Sequence, residues 1–396
     1  MSGIVNMRAL VRSVPRVPAI IVGIAGLLLV VDDAIETDAI NTELVAATLC
    51  FAIGATAVVA LIAEWIGPRQ IVVAARHGAK ASAVVLLSLS ASLVAAEFLA
   101  RWVYRDITTT GDDRGYFSRR WATSAGVTFN TRGFREREFA EQKPDGVVRI
   151  AVVGDSFTYA NGLDAKYRFS DLMQSKLPST VEVLNFGLPG NNTPEHVDTI
   201  RRSVLRLAPD FILVQWFVND VEGDNSAGRP TYLPLVPIPR LHEQLYRSSA
   251  LYTLLNMRWT QVQAEWGSGT YQEYMERRFG DDRGEGARAD RETMLTLAAL
   301  CRNAHVRFGF VLFPDAGFDL GERYPFGFLH ERELAFCADQ QITCLDLRPA
   351  FQRIPDRRKL WVNRLDHHPS ALANEIAALE ILKTFKAEWV PGHRSS

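Results

Sequence analysis

Apolar positions follow two different patterns along the chain. Three long apolar runs occupy the first hundred residues, whereas short apolar runs alternate with helical patterns further on. Runs 44–66 and 81–100 reach the roughly 20 residues that a helix needs to cross a bilayer, and run 17–31 is uncharged but shorter. We therefore predict a membrane anchor, residues 1–105, with three transmembrane helices. A soluble core helix or a cleaved signal peptide remains an alternative for residues 17–31.

The charges that flank these runs predict an orientation. Arg8, Arg12 and Arg16 precede the first run, and only acidic charges separate the first run from the second. Basic residues return between the second and third runs, at positions 69, 76 and 80. The positive-inside rule then places the N-terminus in the cytoplasm and everything after residue 100 outside. This predicts a multi-pass protein of the inner or plasma membrane with an extracytoplasmic, periplasmic domain, provided that residues 17–31 span.

The rest of the chain alternates between strand and helix patterns. After a predicted connector, residues 106–146, we expect one domain over residues 147–396 with an insertion at about 221–290. β-Rich runs lie at 149–153, 181–186, 211–217, 306–313 and 342–345, and helical patterns at 171–176, 195–207, 291–303, 329–339 and 370–383. This order predicts an α/β fold whose parallel sheet is covered by helices. The insertion is rich in Pro and aromatic residues and is either a lid or a helical decoration.

Composition excludes several classes of protein. With 47% apolar and 22% charged residues, the chain is neither disordered nor fibrous. With a net charge of −1, the chain has no excess of basic residues with which to bind nucleic acid. Four cysteines are too few for a disulfide scaffold. One disulfide among Cys301, Cys337 and Cys344 is compatible with an extracytoplasmic location, and the sequence leaves the pairing open.

Polar residues follow three of the predicted strands. Ser156, Gly187–Gly190 and Asn219 each come just after a strand end. Ligand sites in open parallel sheets form at these carboxyl ends. A serine at a strand-to-helix turn also lies near the free N–H groups of a helix start, where an enzyme would hold a nucleophile. The alternative is an ordinary turn in which the serine is an N-cap.

Four short blocks carry a family resemblance. They are Gly-Asp-Ser at 154–156, Asn-Phe-Gly-Leu-Pro-Gly-Asn-Asn-Thr at 185–193, Phe-Val-Asn-Asp at 217–220 and Asp-His-His-Pro-Ser at 366–370. In type and order they resemble the blocks of the SGNH/GDSL hydrolase superfamily, in its membrane-anchored bacterial form. The resemblance implies a three-layer α/β/α, flavodoxin-like parallel sheet after N-terminal transmembrane helices. It implies no cofactor and no metal ion.

The same resemblance implies a role for five residues. Ser156 would be the nucleophile, His368 would accept and return its proton, and Asp366 would orient the imidazole. The backbone N–H groups of Ser156 and Gly190 and the side-chain amide of Asn219 would form the oxyanion hole. Asp366 and His368 are two residues apart, so an extended segment would point both side chains to the same side.

Three positions near these blocks leave alternatives open. Phe217 stands where the family usually has Gly, which puts the size of the substrate in doubt. Many members place the triad Asp three residues before the His, where this chain has Leu365. His367 is a rival base, although the family pattern places the base directly before Pro and so favours His368. A metal pair of the two histidines is disfavoured, because neighbours in a strand face opposite ways and no Cys/His ligand set accompanies them.

Three functions follow from this resemblance. The first is a serine esterase that cleaves an acyl ester on an extracytoplasmic substrate through an acyl-serine intermediate. The second is an O-acyltransferase, for example of acetyl groups, that acts on a cell-surface polysaccharide. The third is a non-catalytic binding module on the same fold. The expected partners are an acyl-ester substrate and a polysaccharide or lipid of the cell envelope, without nucleic acid.

Overall fold

The structure, a computed structural model, describes residues 74–223 and 228–390. The chain divides into two compact units, of which the first ends at Arg105 and the second begins at Asp106. The predicted transmembrane segments at 17–31 and 44–66 lie outside the described residues. The predicted orientation depends on them and stays a prediction.

The first unit contributes one long helix, α1, Ala74–Val103. Its stretch Val84–Val103 has a mean hydropathy of 1.7, and only 6% of that stretch is buried. By length and composition, α1 is the one helix in the described part of the chain that could cross a membrane. It contains the third predicted segment, residues 81–100.

The second unit alternates strands and helices. In chain order its elements are α2 Tyr116–Ser124, β1 Val148–Gly154, α3 Ser156–Tyr159, α4 Phe169–Lys176, β2 Val181–Gly187, α5 Thr193–Thr199, β3 Phe211–Trp216, α6 Pro239–Ser248, α7 Ala250–Gln263, α8 Tyr271–Phe279, α9 Glu285–Asn303, β4 Arg307–Leu312, α10 Gly327–Gln340, β5 Thr343–Asp346, α11 Arg348–Gln352, β6 Trp361–Asn363, β7 Asp366–Pro369 and α12 Ala371–Trp389.

Five strands form a parallel sheet in the order β2-β1-β3-β4-β5. This is the flavodoxin-like order, whose direction reverses next to β1. All six residues of β3 are buried, as expected for a strand covered on both faces. The prediction of an α/β fold on a parallel sheet is confirmed.

Helices cover both faces of this sheet. With right-handed crossovers, the reversal of strand order puts the β1–β2 connection on one face and the later connections on the other. Accordingly α4 packs against α12, and α5 packs against α9. Phe211 joins the sheet to this packing, because its ring contacts both Phe385 and Trp389 of α12 at centroid distances of 5.7 and 5.5 Å.

Two predicted stretches differ in detail from the structure. The helix expected over 195–207 is α-helical only to Thr199 and continues as a π turn and a 3-10 turn. Ile200, Val204 and Leu207 are nevertheless buried, so the change of helix type keeps one apolar side inward. The segment predicted as a connector contains α2, which buries Phe117 and Trp121 four residues apart.

Most of the described part of the insertion is helical, after a non-helical stretch over residues 228–238. Helices α6, α7 and α8 fall within it, and α9 begins inside its predicted end. A second, two-stranded sheet pairs β6 with β7 in antiparallel fashion. A disulfide joins Cys337 near the end of α10 to Cys344 in β5, whereas Cys301 is a free, buried thiol.

Candidate active site

The turn after β1 presents Ser156 at the carboxyl edge of the sheet. Gly154 has to be glycine here, because a Cβ would lie 2.2 Å from Thr158 Oγ1 and 2.4 Å from Gln215 Oε1. Asp155 caps the following short helix by accepting the Phe157 N–H at 2.8 Å, and its own N–H donates to Gln215 Oε1 at 3.1 Å. Strand, cap and helix together fix the direction of the serine side chain.

The β6–β7 hairpin supplies the basic partner. His368 Nε2 lies 2.7 Å from Ser156 Oγ, and His368 Nδ1 lies 2.5 Å from Asp366 Oδ1. The same Asp366 oxygen accepts the His368 backbone N–H at 3.0 Å. The two side chains share one side of β7, as their spacing predicted. His367 points elsewhere, with its ring 4.3 Å from that of Trp361.

A residue from the predicted connector completes this chain of hydrogen bonds. Thr109 is fully buried, and its hydroxyl donates to Asp366 Oδ2. The threonine is itself fixed, because Gly111 N donates to its Oγ1 at 3.1 Å and Asn363 Nδ2 donates to its carbonyl at 3.0 Å. Both oxygens of the buried Asp366 carboxylate are therefore occupied.

The carboxylate of Asp366 and the imidazole of His368 each stabilise the charged form of the other. Burial alone would raise the pKa of Asp366, but the His368 imidazole and the Thr109 hydroxyl lower it to about 2. Burial alone would lower the pKa of His368, but the Asp366 carboxylate raises it above 6.5. Only 13% of the His368 side chain is exposed. Asp366 thus stays ionised beside an imidazole of enhanced basicity.

The two other blocks lie at neighbouring strand ends. Leu188 N donates to Gly154 O at 3.0 Å, which ties the glycine block to the nucleophile strand. Asn219 Nδ2 donates to Asn191 O at 3.2 Å, which ties the asparagine block to the glycine block. Gly190 has φ +82, a left-handed conformation that glycine adopts without strain. Gly190, an exposed residue, and the Asn219 amide therefore both lie at the edge of the sheet that carries Ser156.

A buried Asp–His pair lies behind the asparagine block. Asp220 Oδ1 is 3.0 Å from His196 Nε2 and accepts the Thr193 hydroxyl at 3.2 Å, while Oδ2 accepts the Phe217 N–H at 2.8 Å. Burial alone would lower the pKa of His196, but the Asp220 carboxylate raises it. Burial and the charge of Asp220 raise the pKa of Asp155 to about 6. This pair joins the Asn219 turn to the start of α5.

Aromatic rings line the site next to the imidazole. The Phe157 ring lies 5.2 Å from that of His368 and 4.2 Å from that of Phe217, centroid to centroid. Phe313 closes the other side of Phe157 at 5.8 Å. Phe217 therefore fills space that a glycine would leave open.

Sequence reasoning missed three of these residues. Thr109 is 257 positions away from Asp366 and stands in an unremarkable polar stretch. Gln215 is fully buried in β3, where a lone polar residue in an apolar run was the available signal. His196 is fully buried on α5, and its position one helical turn after the glycine block was the only hint.

Two cavities lie away from the candidate site. Cavities of about 780 and 580 Å³ open at the edge strand β2 and beside α9, and neither is lined by Ser156 or His368. Within residues 74–223 and 228–390, no group of three or more His, Cys, Asp and Glu side chains is arranged to hold a metal ion.

The arrangement is suited to nucleophilic attack on a carbonyl. A serine hydroxyl that is hydrogen-bonded to a basic imidazole loses its proton as it attacks. An anchored carboxylate keeps the imidazole in one tautomer and stabilises the imidazolium. Helix-start and loop N–H groups at the same edge provide donors for negative charge on oxygen.

Comparisons with known proteins find distant structural matches. No protein-family model and no curated protein matches the chain. Similar solved structures include a lipolytic G-D-S-L family member from Veillonella parvula, at 12% identity and TM-score 0.39 over 61% of this chain and all of that chain. An acetylxylan esterase from Geobacillus stearothermophilus has 14% identity and TM-score 0.38, over 61% of this chain and 96% of that chain. Such low identities and TM-scores do not assign the chain to a family.

Proposed function

We propose that this chain is a serine esterase that hydrolyses acyl esters through an acyl-serine intermediate. The observation that carries the proposal is the unbroken series of hydrogen bonds from Ser156 through His368 and Asp366 to Thr109. Three segments far apart in sequence converge to make it. A polar cluster that served only stability would not need its hydroxyl and imidazole at a partly open strand edge.

The proposed reaction has two halves. Ser156 Oγ attacks the ester carbonyl carbon while His368 Nε2 takes the hydroxyl proton, and the C–O bond to the alcohol then breaks as His368 returns that proton to the leaving oxygen. Water, deprotonated by His368, next attacks the acyl carbonyl carbon, and the bond from that carbon to Ser156 Oγ breaks as His368 returns the proton to Oγ, which releases the acid. In both steps the carbonyl oxygen becomes negative. The N–H groups of Ser156 and Gly190 and the Asn219 amide are the proposed donors to it.

The test compares the full chain with Ser156→Ala on a short activated ester. We expect kcat to fall by about 10⁶-fold, because the residual rate would come from binding and the oxyanion donors alone. Ser175→Ala is the matched control, since Ser175 is exposed on α4 and its hydroxyl bonds only Leu172 O at 2.7 Å. Equal hydrolysis by Ser156→Ala and wild type, with both folded, would refute the proposal.

Acyl transfer to a sugar is the second candidate, and the aromatic wall next to His368 is the observation that favours it. Phe157 contacts both the imidazole and Phe217, the first residue of the asparagine block, and apolar side chains there would limit access of water to the acyl-serine. Product analysis with an acetyl ester and an oligosaccharide separates the two. Free acetate indicates an esterase, whereas an acetylated oligosaccharide indicates a transferase.

A further inference from the structure

A buried arginine from the segment after α2 binds the end of the helix that carries the proposed nucleophile. Arg135 is only 6% exposed. Its Nη1 donates to the carbonyl oxygens of Tyr159 and Ala160 at 2.9 and 3.0 Å, and its Nη2 donates to that of Leu163 at 2.6 Å. Tyr159 is the last residue of α3, and Ser156 is the first. One guanidinium therefore closes the C-terminal end of the single helical turn that begins at the serine.

Helix α3 needs such support because it is short. It has four residues, and Ala160, which follows it, has φ +60 in the left-handed region. A single turn of helix is not stable by itself, and the last carbonyl groups of a helix have no partner within the helix. Arg135 supplies donors to these groups, and a cation at a helix C-terminus also complements the helix dipole.

Two aromatic rings fix the orientation of the guanidinium. Its Cζ lies 5.0 Å from the centroid of the Trp121 ring of α2 and 5.1 Å from that of the Tyr159 ring. A planar cation that stacks on rings and donates through its fork has one favoured position. Burial and the charge of Arg168 lower the pKa of Arg135 to about 10, so the side chain stays charged at neutral pH. A buried charge is costly unless hydrogen bonds compensate it, and here backbone carbonyls do so.

The loop that carries Arg135 is anchored to the sheet. Asn130 Oδ1 accepts the N–H groups of Arg132 and Phe134 at 3.0 and 3.1 Å, which forms a tight turn. Phe134 is buried, and its ring lies 4.9 Å from that of Phe186 in β2. The position of Arg135 is therefore set by contacts that do not involve α3.

The loop that accepts these hydrogen bonds also packs against the partner of Asp366. Residues 160–163 include Gly162, which has φ +80, and a Cβ there would lie 2.5 Å from Thr109 Cγ2 and 2.8 Å from Val362 Cγ2. The Thr109 hydroxyl donates to Asp366, and Val362 belongs to β6. The loop is thus in contact both with the threonine that binds the carboxylate and with the hairpin that carries the imidazole.

We propose that Arg135 is a positioning residue for the reaction proposed above. Its planar fork fixes the end of α3 and the loop 160–163, and so holds Ser156 Oγ within reach of His368 Nε2. Arg135 acts through the backbone and takes no part in proton transfer. The inference rests on the proposed esterase function. Its size follows from geometry, since a displacement of reacting groups by about 1 Å costs about 100-fold in rate.

The experiment compares the full chain with Arg135→Met and Arg135→Lys on a short activated ester, with kcat referred to the protein that melts cooperatively. Methionine fills similar space but has no donor, and we expect kcat to fall about 100-fold with KM within about twofold. The rate constant for labelling of Ser156 by a serine-directed organophosphonate should fall by the same factor. Lysine keeps the charge but loses the fork, so we expect kcat about tenfold below wild type.

A loss of stability alone would not produce this pattern. Arg137→Met is the matched control, because Arg137 lies in the same loop, is half-exposed and donates to Val183 O of β2 at 3.2 Å. It should melt earlier than wild type but keep kcat within about twofold. The acidic limb of the pH profile should not move in Arg135→Met, because the bond between Asp366 and His368 is left in place.

Folded Arg135→Met with the kcat and labelling rate of wild type would overturn the proposal. An equal loss of kcat in Arg137→Met would overturn it too, since the effect would then belong to the loop as a whole. If Arg135→Met does not fold, Arg135→Lys decides, and a kcat equal to that of wild type would count against the fork. A folded wild type that neither hydrolyses the ester nor reacts with the organophosphonate would instead refute the esterase function, and this role with it.

Discussion

At the scale of single residues, the proposed chemistry depends most on the environment of Asp366. Buried carboxylates are stable only when hydrogen bonds and opposite charge replace their lost water. Here His368 occupies one oxygen and Thr109 the other. Asp366 therefore remains charged, and its charge determines the basicity of His368.

The pH dependence of the proposed esterase follows from this coupling. His368 has to be neutral to accept the Ser156 proton, and its pKa is raised above 6.5. Activity should rise with pH through that raised pKa and fall as the imidazole is protonated below it. In Asp366→Asn we expect kcat to drop by about 10⁴-fold and the acidic limb to move to lower pH. Profiles of kcat/KM against pH measure this shift. The same acidic limb in wild type and in Asp366→Asn would contradict the prediction.

Thr109 is proposed to position Asp366. Removing its hydroxyl in Thr109→Val should lower kcat about tenfold, equivalent to about 1.4 kcal/mol, with little change in KM. Thr110→Val is the matched control, because the Thr110 hydroxyl donates to Asp112 at 2.8 Å instead. Steady-state kinetics with a short ester check the prediction, and equal kcat in the two variants would argue against it.

Phe217 is proposed to limit the acyl group. Replacing it with alanine opens the space beside Phe157 and His368. We expect Phe217→Ala to raise kcat/KM for an octanoyl ester relative to an acetyl ester by about tenfold or more. An unchanged ratio, in a variant that melts like wild type, would mean that the acyl chain lies elsewhere.

At the scale of elements, the site depends on side chains that connect the end of one strand to the start of a neighbouring helix. Asp220 is such a side chain, since it contacts the Phe217 N–H, the Thr193 hydroxyl and His196 at once. It keeps the Asn219 turn in register with the glycine block that precedes α5. The Cys337–Cys344 disulfide ties the end of α10 to the edge strand β5.

Loss of the Asp220 carboxylate should affect both stability and catalysis. Asp220→Ala removes the buried acceptor of the Phe217 N–H and the Thr193 hydroxyl, which costs about 1–3 kcal/mol. The displaced Asn219 turn should lower kcat as well. Asp198→Ala is the control, because Asp198 lies on the helix that carries His196 but is half-exposed and pairs with Arg201 and Arg202. Urea unfolding of both variants measures the difference, and equal midpoints would exclude this role.

The sequence predicted the elements that obey a simple period. The five strands of the sheet lie within one residue of their predicted positions at most ends, because continuous apolar runs between helical patterns are distinctive. The β6–β7 hairpin was missed, since its strands are three and four residues long and rich in polar side chains. The helices of the insertion were not placed individually, because prolines and scattered aromatics obscure their period.

At the scale of the whole molecule, the candidate site is a convergence of distant segments. Ser156 and His368 are 212 positions apart, and Thr109 and Asp366 are 257 apart. The side chains of the four blocks were predictable because each block carries its own pattern. The role of Thr109 was not predictable, because it depends on a tertiary contact between the segment around residue 109 and the β6–β7 hairpin, and no local pattern marks that contact.

One measurement tests this convergence most directly. The full chain is treated with a serine-directed organophosphonate, and the modified peptide is identified by mass spectrometry. We expect a single covalent adduct on Ser156 in the wild type and loss of labelling in His368→Ala, whose serine has no base. A folded wild-type protein that stays unmodified at Ser156, or is modified as fast in His368→Ala, would contradict it.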